Sequence, residues 1–158
     1  MKTRNIIIKQ SKINKKGIFN LYKINKNKKI FVFANRIIKI NHKLGCNCII
    51  CCKSINLKSN LWLYPKNNSY GYYLNHSCNP NSFSKGKFIY ALKNIKPNTE
   101  ITIDYSTTNI DKKWKMNCSC KQKNCRKIIK SIQYLPNNLF KKYYNFTQPF
   151  IRNNYNNL

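Results

Sequence analysis

The chain has 158 residues, 31 Lys and Arg against 3 Asp and Glu, and a hydrophobic fraction of 42%. That length suits one domain, able to bury about 70% of its extended-chain surface. No run of about 18 apolar residues occurs, and Asn5 to Ile8 is too short for a signal-peptide apolar region, so the expectation is a soluble intracellular protein without membrane contact.

The formal charge of +28 fits two causes. It can be the electrostatic footprint of a nucleic-acid or polyanion binder. It can equally reflect an AT-rich coding sequence, because Lys, Asn and Ile are abundant throughout, loops included. Under either cause, nonspecific nucleic-acid contact through the basic surface is expected at low salt.

Taken in chain order, most of the sequence reads as short strands broken by turns. Asn5 to Gln10, Gly17 to Tyr22, Lys29 to Ala34, Arg36 to Ile40, Leu61 to Tyr64 and Phe88 to Lys93 are rich in Ile, Phe, Tyr and Val. Lys96 to Thr99 reads as a turn in which Pro97 sets the first central φ, leading into a further strand from Glu100 to Tyr105. Helical pattern is scarce before residue 125. Beyond Pro136, one helix is expected from Asn137 to Phe146, with Leu139, Phe140, Tyr143 and Tyr144 on one side. The polar tail from Arg152 to Leu158 is expected to fray. Periodicity alone therefore gives a mostly-β class.

Eight cysteines stand at 46, 48, 51, 52, 78, 118, 120 and 125. Without an export signal, their C-x-C and C-x-x-C spacings read as thiolate metal sites rather than disulfides. Cys118, Cys120 and Cys125 supply three ligands, one short of a tetrahedral zinc site. Cys46, Cys48, Cys51 and Cys52, with His42 upstream, fit either a second zinc or a plain insert with partly buried cysteines.

Three motifs carry the chemistry. They are Asn75-His76-Ser77-Cys78-Asn79-Pro80-Asn81, then Glu100-Ile101-Thr102-Ile103-Asp104-Tyr105, then Cys118-x-Cys120-x4-Cys125. In this order and spacing they resemble the SET-domain family, whose members methylate protein lysines with S-adenosylmethionine. The resemblance runs from Ser11 to Arg126 and is weakest between residues 36 and 69. It implies a SET fold of small curved sheets in which the Asn-His and Tyr segments cross in a pseudoknot. It also implies a zinc-binding post-SET tail and a short C-terminal helix. The implied division is a SET domain over residues 5–110 with a Cys-rich insert near 42–56, a post-SET zinc segment over 111–130, and an extension over 131–158.

The resemblance also assigns roles. Cys78 would complete the zinc site of Cys118, Cys120 and Cys125. Asn75 and His76 would hold the amino-acid end of the cofactor. Ser11 to Phe19 resembles the family's opening Gly-x-Gly segment, but Lys15 stands where the first glycine belongs. The implied cofactor contacts are then Lys15, Lys16, Gly17, Phe19, Asn75, His76 and Tyr105. Tyr105 is the expected catalytic residue, with Tyr72 and Tyr73 beside it. Lysine has a pKa of about 10.4 in water, and a narrow aromatic channel would favour its reactive neutral form. Tyr70, Tyr72, Tyr73 and Tyr90 can line that channel or simply pack in the core. Ile103 stands where relatives often carry Phe or Tyr. Lacking a hydroxyl to hold a water, it predicts that higher methylation is allowed, which purely monomethyl product would contradict.

The implied substrate is a lysine-containing protein, histone or otherwise nucleic-acid-associated, with nuclear or chromatin location in a eukaryote. A +28 enzyme repels a free basic tail, so either the substrate is held on nucleic acid or its lysine has neutral or acidic surroundings. The competing classes are a catalytically inactive SET-like module and a zinc-ribbon nucleic-acid binder. The second explains cysteines and charge but leaves the Asn75 and Tyr105 motifs as accidents.

Overall fold

In a computed structural model of the chain, residues 5–39 and 49–155 are described, the side chains of residues 49 and 50 aside. Strand β1 (Ile6–Gln10) and β2 (Lys16–Asn20) pair as an antiparallel hairpin with Ile8 opposite Ile18. The hairpin ends at Asn20 because its buried side chain turns to other work. Its Nδ2 donates to the carbonyls of Tyr22 and Lys96, both at 2.7 Å. Strands β3 (Lys29–Val32) and β4 (Arg36–Lys39) follow. A short helix, α1 (Ile49–Lys53), precedes the hairpin of β5 (Ile55–Lys58) and β6 (Leu61–Tyr64), and β6 also pairs with β4.

After a 3-10 turn at Gly71–Tyr73, β7 (Asn75–His76) is only two residues long. Strands β8 (Ser82–Lys85) and β9 (Phe88–Ala91) form a hairpin that β3 joins on the β9 side. Strand β10 (Glu100–Ile103) follows the expected turn. Asn98 there takes φ +57, the value a type II turn needs after its proline, and its N–H donates to the Asn20 carbonyl at 2.8 Å. β10 joins the first hairpin and the Asn-His segment in one sheet of order β1-β2-β10-β7. Its partner β7 runs parallel to it, with Thr102 opposite Asn75 and Ile103 opposite His76.

Strands β11 (Lys115–Asn117) and β12 (Ile128–Lys130) make a final small hairpin. Helix α2 (Asn137–Tyr143) starts behind Pro136, whose carbonyl accepts from Leu139 and Phe140. The expected helix reaches Phe146 only by tightening into a 3-10 turn at Tyr144–Phe146. The tail does not fray through Tyr155. Helix α3 (Pro149–Arg152) begins on a proline, and the Tyr155 ring stacks on Phe140 with centroids 3.6 Å apart. The architecture is thus the mostly-β one expected, with small sheets and short C-terminal helices.

Three apolar clusters hold these pieces. The largest joins the sheets through Ile18, Phe31, Leu63, Leu74, Ile89 and Ile101. A second packs the C-terminal helices through Ile132, Leu135, Phe140 and Ile151 against Leu92 and Ile110. The third is small and lies under the cysteines: Cys78, Trp114, Cys120 and Ile129. Burial of such side chains stabilises by about 1.5–3 kcal/mol each, so the first cluster dominates the fold.

Candidate active site and metal-binding cluster

Tyr105 follows β10 and stands between the sheet and the post-β10 segment. Its hydroxyl donates to the Leu74 carbonyl at 2.5 Å, and its backbone N–H donates to His76 Nδ1 at 3.2 Å. Burial pushes its pKa well up, with Cys52 and Glu100 adding to the effect. Tyr105 is therefore a neutral phenol, able to orient a partner and unsuited to act as a base. His76 is neutral too. Burial lowers its pKa to about 4, against the pull of Asp104 and with the help of Arg126.

On one side of Tyr105 lies a cleft of about 220 Å³, walled by Ile13, Asn14, Asn75, His76 and the segment Met116–Ser119. A larger cleft of about 420 Å³ lies across Ile13, lined by Ser77, Glu100, Thr102 and Cys120 among others. Asn75 Nδ2 donates to Glu100 Oε1 at 2.7 Å and to the Lys16 carbonyl at 2.9 Å, with Ser11 Oγ at 3.4 Å. Its two protons are thus engaged by the protein, which leaves Oδ1 as the end available to a ligand. Ser11 Oγ donates to the Glu100 carboxylate at 2.9 Å, fastening the β1–β2 loop to β10.

Gly17 answers to the same carboxylate. A Cβ there would collide with Glu100 and crowd Ser11, so only glycine allows the close approach. Lys15 takes φ +29, in the left-handed region that glycine favours. The glycine-type curl survives without the glycine, and the Lys15 side chain stays exposed. Phe19 does not reach either cleft. It pairs with Ile7 and Glu100, and Lys9 Nζ sits 4.4 Å from its ring centroid.

On the other side of Tyr105 is a narrow cavity of about 20 Å³, room for about one water. Phe33, Leu74, Ile103, Tyr105 and Trp114 line it, together with the end of α1. Of the other tyrosines singled out in sequence, none lines this cavity. Tyr73 turns its hydroxyl to Asn68 at 2.6 Å, and Tyr72 meets it edge-on. Tyr70 donates to the Ile6 carbonyl at 3.2 Å, and Tyr90 stacks on Phe83.

The cysteines converge. Cys78 and Cys118 Sγ atoms are 3.7 Å apart. Tetrahedral zinc with bonds of about 2.3 Å separates its sulfurs by about 3.8 Å, so this pair fits a metal. His76, Cys78, Cys118 and Cys120 present ligand atoms all within 4.8 Å of one another. Cys125 packs in the same cluster, its Sγ 3.8 Å from the Cys118 carbonyl. The fourth place is thus open to His76 or Cys125. Hydrogen bonding favours Cys125. Because His76 Nδ1 accepts from Tyr105, the neutral ring carries its proton on Nε2, 3.3 Å from Cys78 Sγ. A protonated Nε2 donates to a thiolate and has no lone pair for a metal.

Sequence reasoning missed Arg126 as a site residue. Its Nη2 donates to Asp104 Oδ1 at 2.6 Å, Nη1 to Ser106 Oγ at 3.2 Å, and Nε lies 3.3 Å from Cys78 Sγ. One guanidinium so ties the tail to both motifs. The available signal was the scarcity of carboxylates: a buried Asp104 must find a cation. In the second cysteine cluster, His42, Cys46 and Cys48 lie outside the described residues, while Cys51 and Cys52 line the narrow cavity from α1.

A scaffold of small sheets that pairs an Asn-His segment in parallel with the strand leading into Asp104 and Tyr105, beside a cysteine cluster, defines a class that comparison with known proteins makes definite. The SET domain family matches residues 15–106, more than half of the chain, and the chain belongs to that family. It is 37% identical over 65 residues to human histone-lysine N-methyltransferase 2B, covering 36% of this chain and 2% of that protein. Against Drosophila virilis histone-lysine N-methyltransferase trithorax it is 38% identical over 65 residues, again 36% and 2%. The chain spans only a small fraction of these curated relatives. The crystal structure of a Plasmodium falciparum candidate histone methyltransferase aligns at TM-score 0.48 and 28% identity, over 64% of this chain and 92% of that one. Among the described residues no helix is long and apolar enough to cross a membrane.

Proposed function

We propose that this chain is an S-adenosylmethionine-dependent protein-lysine N-methyltransferase. The observation that carries the reading is Tyr105, which lines both an open cleft beside Asn75 and His76 and a narrow cavity walled in part by Phe33, Leu74 and Ile103. Methyl transfer to an amine is an in-line displacement, so donor and acceptor must approach one carbon from opposite sides. S-adenosylmethionine, when bound, supplies the sulfonium methyl.

The chain's own residues do the rest. Asn75 lines the cleft beside Ile13 and Asn14, and its Oδ1, with the backbone of the adjoining Lys15 to Gly17, would hold the amino-acid end of the cofactor. The positive φ at Lys15 preserves the curl that the missing glycine put in question. Phe33, Leu74 and Ile103 lower the polarity of the acceptor side and would disfavour an ammonium there. The Tyr105 phenol, held by the Leu74 carbonyl, orients the neutral amine with its oxygen lone pairs, and solvent takes the proton. Zinc on Cys78, Cys118, Cys120 and Cys125 would fasten Met116–Ser119 as a wall of the cleft.

On this reading residues 5–110 form the SET domain, 111–130 the post-SET zinc segment and 131–158 an extension. Histones are the first substrates to try, because the curated relatives are named histone-lysine methyltransferases. A nuclear location follows from that choice in a eukaryote.

The test is calorimetric titration of S-adenosylmethionine into zinc-replete protein, at salt high enough to strip nucleic acid. Saturable one-to-one binding is expected. Tyr105→Phe should keep that binding and lower kcat on histone substrates by about 100-fold. A folded protein that does not bind the cofactor would be an inactive SET-like module.

A further inference from the structure

Lys53 closes α1 and does not behave as a surface lysine. Its Nζ donates to the Tyr72 carbonyl at 2.9 Å and lies 4.9 Å from the Tyr72 ring centroid. Its side chain lines the narrow cavity together with Tyr105, Leu74 and Ile103. Burial lowers its pKa, the neighbouring Cys52 opposing. Among the described residues the ion pairs are His76 with Asp104 and Arg126 with Asp104, so no carboxylate compensates this half-buried ammonium.

A lysine on a protein of charge +28 loses hydration and gains no counter-charge by folding inward. What it finds is the Tyr72 carbonyl and ring, and a place in the wall of the cavity that Tyr105 also lines. Those are the partners an acceptor lysine would meet.

We propose that Lys53 is an internal acceptor, a lysine of the protein's own chain held in the wall of the acceptor cavity and methylated in cis. The inference rests on the methyltransferase reading above. In the step, the Nζ proton leaves to solvent and the freed electron pair forms the new N–C bond to the methyl of the sulfonium donor. The C–S bond breaks and its pair stays on sulfur, giving a neutral thioether. Until an external lysine displaces it, Lys53 also keeps the cavity filled.

The experiment incubates the zinc-replete full chain with S-adenosylmethionine carrying a deuterated methyl, with and without nucleosomes, and locates the label by peptide mass spectrometry. Label on Lys53 is expected, at a first-order rate that dilution of the protein does not change. It should vanish in Tyr105→Phe and in Lys53→Arg, which keeps the cation. Nucleosomes labelled while Lys53 stays unlabelled would overturn this inference alone, as would a Lys53 rate that falls on dilution. No label anywhere would remove the methyltransferase reading and the inference with it. A second readout needs no cofactor: acetylation by an amine-reactive ester should modify Lys53 several-fold more slowly than exposed Lys26 and Lys85. Equal rates would show that Lys53 is not held.

Discussion

Arg126 shows how much one side chain carries here. Asp104 is buried, and its Oδ1 accepts from Arg126 Nη2 and from the Ser106 N–H. Removing the guanidinium would leave a carboxylate in the interior with its counter-charge gone. Arg126→Ala should therefore cost about 3–5 kcal/mol, read as a fall in the denaturant midpoint at unchanged slope. A midpoint shift worth less than about 1 kcal/mol would mean that water reaches Asp104 and the pair is a surface one. The motif ending in Tyr105 is legible in sequence, because its spacing is local. The cation that stabilises it is not, because Arg126 meets Asp104 only through the path of the tail. Lys15 is the reverse case. Its sequence position suggests a damaged loop, whereas the backbone accepts a positive φ at a residue other than glycine.

At the scale of elements, the Cys118–Cys125 segment and the Asn-His strand depend on each other. Cys118 N–H bonds back to the Lys127 carbonyl, Asn124 Nδ2 donates to the Cys78 carbonyl at 3.1 Å, and β11 with β12 sits beside the clustered thiols. Thiolates that close together repel unless a cation joins them, so chelation should loosen the tail. The expected outcome is one zinc at this cluster, with cofactor affinity lost on chelation because Met116–Ser119 wall the cleft. Cys125→Ser should lower zinc affinity sharply, measured by competition with a chromogenic chelator. Unchanged affinity in that variant would hand the fourth position to His76. Strands such as β7, β11 and β12 were not legible in sequence. They are two or three residues long, too short for any periodic pattern to show, so pairing partners make them strands. The runs from Leu61 and Phe88 are legible because each strings together four apolar or aromatic residues.

For the whole molecule, on the proposed methyltransferase reading, the charge sets the terms of substrate choice. The three carboxylates are Glu100, Asp104 and Asp111. Glu100 is held by Ser11 and Asn75, and Asp104 by Arg126, which leaves little to line a groove for a basic peptide. Substrate lysines already held on DNA would come with phosphates that attract this basic chain. Methylation of nucleosomal histone should therefore exceed that of the isolated tail peptide, and the advantage should shrink as salt rises. Equal rates on both at physiological salt would remove nucleic acid from the account.

The sequence by itself determined the family and the mostly-β class, and it singled out Tyr105 and the cysteines, because each is written in motif spacing. Tertiary structure decided what those residues face. It set Tyr105 between two cavities, turned Tyr73 and Tyr90 away from both, brought Arg126 to Asp104 and Cys78, and folded Lys53 inward. The reason is physical. Periodicity and motif spacing report contacts between chain neighbours, whereas desolvation, ion pairing and cavity shape arise only when distant segments meet.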